Sequence, residues 1–276
     1  MRYSLKLSKI HKNFLSFSEV SIWWESSWFN SSIIQYINYE YCMHMPLPIS
    51  GFFSSGWEEV YYEKIEIPWI LCKTLILHWA WQGDSSRTTA LRNSLFQQGI
   101  PTLAIDFSGH GKSTKHNPLS IRKRINEARH AISLLDKNID ITLIGFSMSG
   151  EVSIRLSHQC SVRNIFLFAP WIYHSEAVDM PFWESFSELI RMHESWREND
   201  IEEMLKDFQG NLLLFTPEFD TVIPPWVNHI IMDAVRHTES EKITIKNAPH
   251  MVGKWMNENP QRVPEITQKI KQYYAQ

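Results

Sequence analysis

Cysteine pairs and long apolar runs are both missing from this sequence, and each absence excludes a class of protein. The 3 cysteines, Cys42, Cys72 and Cys160, are far apart, and none forms a C-x-x-C pair. A disulfide framework is therefore not indicated, and we interpret the thiols as reduced in a cytoplasmic protein. No apolar run reaches the roughly 18 residues that a membrane helix requires, so stable membrane insertion is not expected.

An excess of basic residues is also missing. The chain has 27 Lys and Arg against 30 Asp and Glu, and its net charge is -3. Nucleic-acid binding usually needs a basic stripe, and none is visible, so we expect no nucleic-acid partner. The 276 residues, 43% hydrophobic and 21% charged, are ordinary for a globular chain with one main domain.

The first 45 residues differ from the rest of the chain. They are rich in Trp, Tyr, Phe, Asn and Ser and show no clear periodicity. The charged start lacks the apolar stretch that an export signal needs, so a cleaved signal is not expected. We treat residues 1–45 as an N-terminal extension, which could bind a partner or pair with a second copy of the chain. Residues 46–276 are expected to form the main domain.

Strand-like and helix-like segments alternate from about residue 58 onward. Such alternation predicts an α/β fold with a mostly parallel central sheet and helices on both faces. Residues 171–208 are too long for a simple crossover and are interpreted as a small helical cap insertion. The predicted strands are 60–67, 70–78, 101–106, 139–146, 162–169, 211–216 and 242–246, and the predicted helices are 85–98, 121–136, 148–158, 226–236 and 264–274.

The strongest chemical signal is the hexapeptide Gly-Phe-Ser-Met-Ser-Gly at residues 145–150. It follows the apolar segment ITLI and precedes a helix-like segment, as in a sharp strand-to-helix turn that exposes a nucleophilic serine. Small residues two positions before and after the serine let such a turn close. Gly145 and Ser149 occupy these positions here. Ser147 is therefore the predicted nucleophile.

A nucleophilic serine needs a histidine base and a carboxylate that orients it. Asp220 follows the apolar run NLLLF after the four residues TPEF, and His250 follows the strand-like KITIK. Both lie at carboxyl ends of predicted strands, where ligands bind in sheets of this kind. The chain order Ser147, Asp220, His250 also fits this architecture. Glu218 is the rival acid.

The oxyanion hole should combine two backbone N–H groups. One is expected from Met148, the residue after the nucleophile, and the other from the loop that follows the strand ILCKTLILH. We predict the N–H of Ala80 for the second donor, with Trp79 as the alternative. Neither a metal nor a cofactor is predicted. The Gly-rich turn at residues 106–113 lacks the spacing of a phosphate loop and is interpreted as a support for the site.

Together, these segments resemble the α/β-hydrolase superfamily over roughly residues 58–276. The resemblance rests on His78-Trp79-Ala80, on Asp106-x-x-Gly-His-Gly-x-Ser, on the serine hexapeptide, and on Asp220-x-Val-Ile-Pro with His250. Within the superfamily, the set is most similar to serine esterases, monoacylglycerol-lipase-like enzymes and related peptidases. Two positions depart from the usual pattern: Trp79 replaces a glycine in the oxyanion loop, and Ser149 replaces the elbow glycine.

The resemblance implies a serine hydrolase that cleaves a small-molecule carboxylic ester through an acyl-enzyme intermediate. A small or medium apolar acyl group is expected. A thioesterase, an amidase or peptidase, an acyltransferase or a carbon–carbon hydrolase could use the same residues, and a non-catalytic binding protein is the remaining alternative. The tryptophans expected to line the substrate pocket are Trp79, Trp81, Trp171 and Trp183. The predicted cap is rich in acids, which either disfavour anionic substrates or form a solvated helix face.

Overall fold

The structure, a computed structural model, describes residues 48–79, 83–137, 139–235 and 239–274. These residues belong to one compact unit that spans Met45–Gln276. The predicted N-terminal extension lies outside the described residues, as do Ala80 and Trp81 of the predicted oxyanion loop.

The described residues form one eight-stranded sheet with the order β1-β2-β4-β3-β5-β6-β7-β8. The first two strands pair antiparallel, β2 also pairs antiparallel with β4, and all further pairs are parallel. The strands are β1 (Ile49–Ser55), β2 (Glu58–Ile65), β3 (Thr74–Leu77), β4 (Thr102–Ile105), β5 (Ile141–Phe146), β6 (Val162–Phe168), β7 (Asn211–Phe219) and β8 (Ser240–Pro249).

Helices connect the parallel strands, and apolar side chains cover both faces of the sheet. Ile76 packs in one core cluster, while its neighbours Leu75 and Leu77 pack in the other. A strand buried on both faces explains why these segments lack an alternating pattern. The α-helices are α1 (Thr89–Gln97), α2 (Ile121–Ile132), α3 (Met148–Ser157), α4 (Glu184–Arg191), α5 (Ile201–Lys206), α6 (Pro225–Ala234), α7 (Val252–Glu258) and α8 (Val263–Tyr274).

The strand order reverses beside β3, which lies between β4 and β5. In open α/β sheets, ligands bind at such a switch point, outside the carboxyl ends of the strands. The loop after β3 and the turn after β5 therefore lie side by side. The chain after β7 and β8 reaches the same edge of the sheet.

The predicted strand over residues 70–78 is too long. Only Thr74–Leu77 forms β3. Before it, Trp69 has a positive φ of 65°, and the N–H of Ile70 donates to the carbonyl of Ile67 at 3.1 Å. This turn leaves Ile70 and Leu71 exposed. An apolar run alone does not show where a buried strand begins, and the sequence analysis also missed β1 and α7.

Residues 171–210 connect β6 to β7 and contain α4 and α5 together with two short 3₁₀ helices, Ser175–Val178 and Ser195–Arg197. Buried Glu151 on α3 accepts a hydrogen bond from the N–H of Tyr173 at 2.6 Å. Arg155, one turn later, bonds both Glu151 at 2.8 Å and Asp200. These contacts anchor both ends of the connection to the helix that follows Ser147. Within the described residues, no helix is long and apolar enough to cross a membrane.

Candidate active site

Ser147 lies on a strained turn between β5 and α3. Its φ of 50° and ψ of -117° are rare for a residue with a side chain. The turn is held because the N–H of Ser147 donates to the Phe168 carbonyl at 2.9 Å, and its own carbonyl accepts from Trp171 at 3.1 Å. A Cβ at Gly145 would lie 2.3 Å from the Ser149 carbonyl oxygen, so the turn requires glycine there. Ser147 is only 7% exposed.

Ser149 does more than replace the usual glycine. Its hydroxyl donates to the carbonyl of His78 at 2.5 Å. The bond connects the turn after β5 to the start of the loop after β3, where the second oxyanion donor is predicted. The hydroxyl therefore helps to position that loop, a role that the sequence analysis did not predict.

The structure brings His250 and Asp220 to Ser147. The Oγ of Ser147 lies 3.2 Å from Nε2 of His250, and Nδ1 of His250 lies 2.9 Å from Oδ2 of Asp220. These residues directly follow β5, β8 and β7, as the strand-end rule predicts. The side chains are arranged as a nucleophile, a base and an orienting carboxylate.

The rival acid Glu218 is directed elsewhere. Its carboxylate accepts hydrogen bonds from Nζ of Lys246 and from the N–H of Asn247, both at 2.9 Å. Asp220 instead accepts from the N–H groups of Val222 and Ile223 with its second oxygen, at 2.8 and 3.0 Å. Burial alone would raise the pKa of Asp220, but the His250 bond and these two N–H groups lower it below its usual value. Asp220 is therefore held ionised beside the imidazole.

The first predicted oxyanion donor, Met148, is the first residue of α3. Its N–H is one of the groups at a helix start that have no partner within the helix, and the positive end of the helix dipole lies there. The second predicted donor, Ala80, lies outside the described residues. The chain that follows this loop is anchored by buried Asp106, whose carboxylate accepts from the N–H of Ser85 at 2.7 Å and of Lys112 at 2.9 Å. The Asp106 turn thus supports the site.

A narrow cavity opens beside Ser147. The centre of a water molecule can move within a volume of about 20 Å³ there, so the cavity has room for about one water. Phe146 and Phe168 form a stacked pair with ring centroids 4.7 Å apart, and both line the cavity. The other described lining residues are His78, Trp79, Arg87, Thr88, Ser147, His250, Met251, Val252, Gly253 and Lys254.

The four tryptophans predicted to bind substrate have different positions. Trp79 lines the cavity, and its indole packs edge-on against the His250 ring with centroids 5.2 Å apart. Trp171 and Trp183 are not among the described lining residues; Trp171 packs on Tyr173, and Trp183 is 63% exposed. Trp81 lies outside the described residues. Phe146 and Phe168 were missed, although they are the last residues of β5 and β6.

A buried histidine, His78, and a half-buried one, His110, lie close together near the site. His78 is fully buried, and its ring lies 5.7 Å from that of His110. Burial lowers the pKa of His78 to about 3, and the charge of His110 adds to the shift. Burial and the nearby Arg124 likewise lower the pKa of His110 to about 4. Both rings are therefore neutral in the folded protein at neutral pH.

We expect the protein to lose stability as the pH falls below about 6.5. The unfolded chain binds a proton at His78 near that pH, whereas the folded chain does so only near 3, so acid favours unfolding. Between these values, His78 contributes a slope of about 1.4 kcal/mol per pH unit. Urea denaturation at a series of pH values measures it. His78→Gln should flatten the slope, with exposed His158→Gln as the control; identical slopes for His78→Gln and the wild type would contradict the prediction.

No metal site is visible: within the described ranges, no three histidine, cysteine or carboxylate side chains are grouped closely enough to hold an ion. The chain matches no protein-family model and no curated protein sequence.

Solved structures with the same architecture are numerous. A predicted CIB-like hydrolase from Thermoplasma acidophilum has a TM-score of 0.61 and 16% identity, and the match covers 82% of this chain and 99% of that one. A serine hydrolase involved in carbazole degradation has a TM-score of 0.60 and 16% identity, with 83% and 99% covered. Est1E from Butyrivibrio proteoclasticus, solved with ferulic acid, has a TM-score of 0.61 and 15% identity, with 82% and 100% covered.

These likenesses, together with the sheet order, show that the chain has the α/β-hydrolase fold. The fold class expected from the sequence is thereby confirmed.

Proposed function

We propose that this protein is a serine hydrolase that cleaves a carboxylic ester with a small apolar acyl group. The observation that carries the proposal is the continuous hydrogen-bonded arrangement of Ser147, His250 and Asp220 at the cavity. A buried carboxylate, a histidine and a serine on a strained turn have little structural reason to meet at one strand edge. Acyl transfer is the chemistry that this arrangement performs.

In the first step, Nε2 of His250 accepts the proton of Ser147 while Oγ bonds to the ester carbonyl carbon. The carbonyl electron pair moves onto the oxygen, and Asp220 stabilises the imidazolium that forms. When the carbonyl re-forms, the bond to the alcohol breaks and His250 returns the proton to the departing oxygen. Water then repeats the sequence on the acyl-enzyme, releasing the acid and restoring Ser147.

The negative oxygen of the intermediate needs donors that are already in place. The N–H of Met148 is one, supported by the start of α3, and Ala80 remains the proposed second. Each such donor is worth about 3 kcal/mol of transition-state stabilisation in comparable sites. The bond from Ser149 to His78 holds the start of the second loop against the nucleophile turn.

The small apolar acyl group is supported by the cavity wall. Phe146, Phe168 and Val252 are apolar, and the volume of about 20 Å³ leaves no room for a long chain without rearrangement. Trp79 closes the side next to His250. Hydrolysis of 4-nitrophenyl esters of increasing acyl length tests this point: acetate and butyrate should be preferred to decanoate.

Labelling with a fluorophosphonate tests the reaction class. The wild type should be labelled at one serine, identified by peptide mapping as Ser147, because only a serine activated by a base reacts with this reagent at a useful rate. Ser147→Ala should abolish labelling and turnover and keep the fold. Ser157→Ala, which removes a hydroxyl from the last turn of the same helix, is the matched control and should be labelled normally. Absence of label on folded wild type would overturn the proposal.

A further inference from the structure

The cavity beside Ser147 is lined by two cationic residues as well as by apolar ones. Arg87 and Lys254 both line it. Arg87 belongs to the 3₁₀ helix Ser85–Thr88, just after the predicted oxyanion loop, and Lys254 lies on α7, four residues after His250. Arg87 and Lys254 therefore lie on the two segments that follow the predicted oxyanion loop and the base His250.

Two glycines allow Arg87 to lie there. A Cβ on Gly253 would lie 2.8 Å from the carbonyl oxygen of Arg87, so glycine lets the 3₁₀ helix approach the start of α7. A Cβ on Gly83 would lie 3.2 Å from Cγ of Arg87, which places the side chain along the loop. The half-buried Arg87 is therefore packed between the two segments.

The Arg87 guanidinium has no hydrogen bond or ion pair with a side chain of any described residue. Asp84 is the carboxylate that its charge influences, yet that group accepts from the N–H and hydroxyl of Ser86 and is not within ion-pair distance of Arg87. Lys254 has only a loose surface contact with Glu258, at 3.6 Å. A guanidinium without a side-chain partner, on a residue that lines the cavity, keeps its donors for a bound group.

Acidic side chains do not offset this charge at the cavity wall. The described lining residues include no carboxylate, and Asp220 contacts His250 from outside this set. The acids of the 171–210 connection lie at or near the surface instead. Glu194 and Asp200 are half-buried, and the others are exposed: Glu176, Asp179, Glu184, Glu188, Glu198, Glu202, Glu203 and Asp207. Of the two sequence-based interpretations of these acids, the solvated helix face fits, and they do not line the site.

We infer that the ester substrate carries a carboxylate, which Arg87 binds while Ser147 attacks the ester carbonyl. This inference rests on the proposed ester hydrolysis and revises its substrate to an anionic ester, which is apolar only between the ester group and the carboxylate, as in half-esters of dicarboxylic acids. A planar guanidinium matches a carboxylate with two parallel hydrogen bonds, which a point charge such as Lys254 does not provide. The apolar wall of Phe146 and Phe168 holds the carbon chain between the two carboxyl groups.

Two pairs of equal-sized esters test the inference. Monomethyl succinate is compared with methyl 4-methylpentanoate for a carboxylate on the acyl side, and acetoxyacetate with isobutyl acetate for one on the alcohol side. The wild type should have a higher kcat/KM for the anionic member of at least one pair. Arg87→Gln should lower the anionic-to-neutral ratio of kcat/KM for that pair about 10- to 100-fold, as expected for losing a charge-assisted hydrogen bond.

Two further variants distinguish the planar donors of Arg87 from positive charge alone and from the loss of an arginine elsewhere. Arg87→Lys keeps the charge without the planar donors and should recover only part of the ratio. Arg262→Gln removes an exposed arginine from the 3₁₀ helix Pro260–Arg262, away from the described cavity lining, and should leave the ratio unchanged. The inference is overturned if the anionic-to-neutral ratio of kcat/KM in Arg87→Gln lies within about threefold of the same ratio in Arg262→Gln.

A binding measurement keeps this test independent of turnover. In the Ser147→Ala background, NMR titration should show tighter binding of the anionic ester of that pair than of its neutral partner, and added Arg87→Gln should remove the difference. Equal binding of anionic and neutral members in both pairs overturns the inference, whether or not the wild type is labelled by the fluorophosphonate. Labelling of Ser147 without any anionic preference leaves the proposed function standing and removes only the substrate class.

Discussion

Replacing Asp220 with asparagine is expected to lower kcat by about 10⁴-fold with little change in stability. Asparagine can keep the hydrogen bonds from Val222 and Ile223 through its carbonyl oxygen. Its NH₂ group then faces Nδ1 of His250, which must accept instead of donate. The proton of the imidazole moves to Nε2, the atom that has to take the proton of Ser147.

The matched control is Glu218→Gln. This residue lies two positions earlier and is bonded to Lys246 and Asn247, so kcat should stay within a few-fold of the wild type. Steady-state kinetics on the best 4-nitrophenyl ester measures both variants, and thermal unfolding checks that each is folded. A loss of activity in Glu218→Gln, or an Asp220→Asn variant within tenfold of the wild type, would show that the acid has been misassigned.

The second large effect concerns a fully buried ion pair behind the site. Arg124 and Glu127 are both 0% exposed, with Nη1 of Arg124 at 3.1 Å from Oε2 of Glu127. Glu127→Gln keeps the shape but leaves the guanidinium without its counter-charge, packed 5.1 Å from the Phe107 ring centroid. We expect the free energy of unfolding to fall by about 3–5 kcal/mol, because an unpaired buried charge is strongly destabilising.

A double variant separates the charge effect from packing. Adding Arg124→Met to Glu127→Gln should restore part of the stability, since the unpaired charge is removed while the side-chain volume is largely kept. Glu265→Gln breaks a surface pair with the same spacing, in which Arg262 lies 4.0 Å away, and should change stability by less than about 0.5 kcal/mol. Chemical denaturation measures all three. A loss below about 1 kcal/mol in Glu127→Gln would refute the prediction.

Much of the fold could be predicted because its parallel strands are buried on both faces. The segments NLLLF and ITLI stand out as apolar runs, and helix-like patterns separate them. The ends of these apolar runs predicted the strand ends less well. Ile70 and Leu71 are apolar yet precede β3, and they are exposed after the turn at Trp69. The strand β1 was missed because its residues are mostly exposed and, like residues 1–45, mix apolar and polar residues without a clear period.

The site residues could be predicted from their positions after strands, whereas the cavity wall could not. Ser147, Asp220 and His250 each follow a strand whose carboxyl end lies at one edge of the sheet. Trp171 was predicted because it follows a strand and Trp183 because it lies in the predicted cap, yet neither is among the described residues that line the cavity. Position along the chain indicates which loop a residue occupies, but the direction of its side chain depends on the packing around it.

The sequence by itself determined the alternation of strands and helices from β2 onward, apart from α7, and the three segments that carry Ser147, Asp220 and His250. These features are local: buried strands need continuous apolar residues, and the turn at Ser147 needs Gly145 two positions before the serine. The tertiary structure alone decided that Asp220 rather than Glu218 faces His250, that Ser149 bonds to His78, and that Arg87 lies against Gly253. Each of these contacts joins side chains or backbones that are far apart in the chain, so it depends on how the sheet and its loops pack in space.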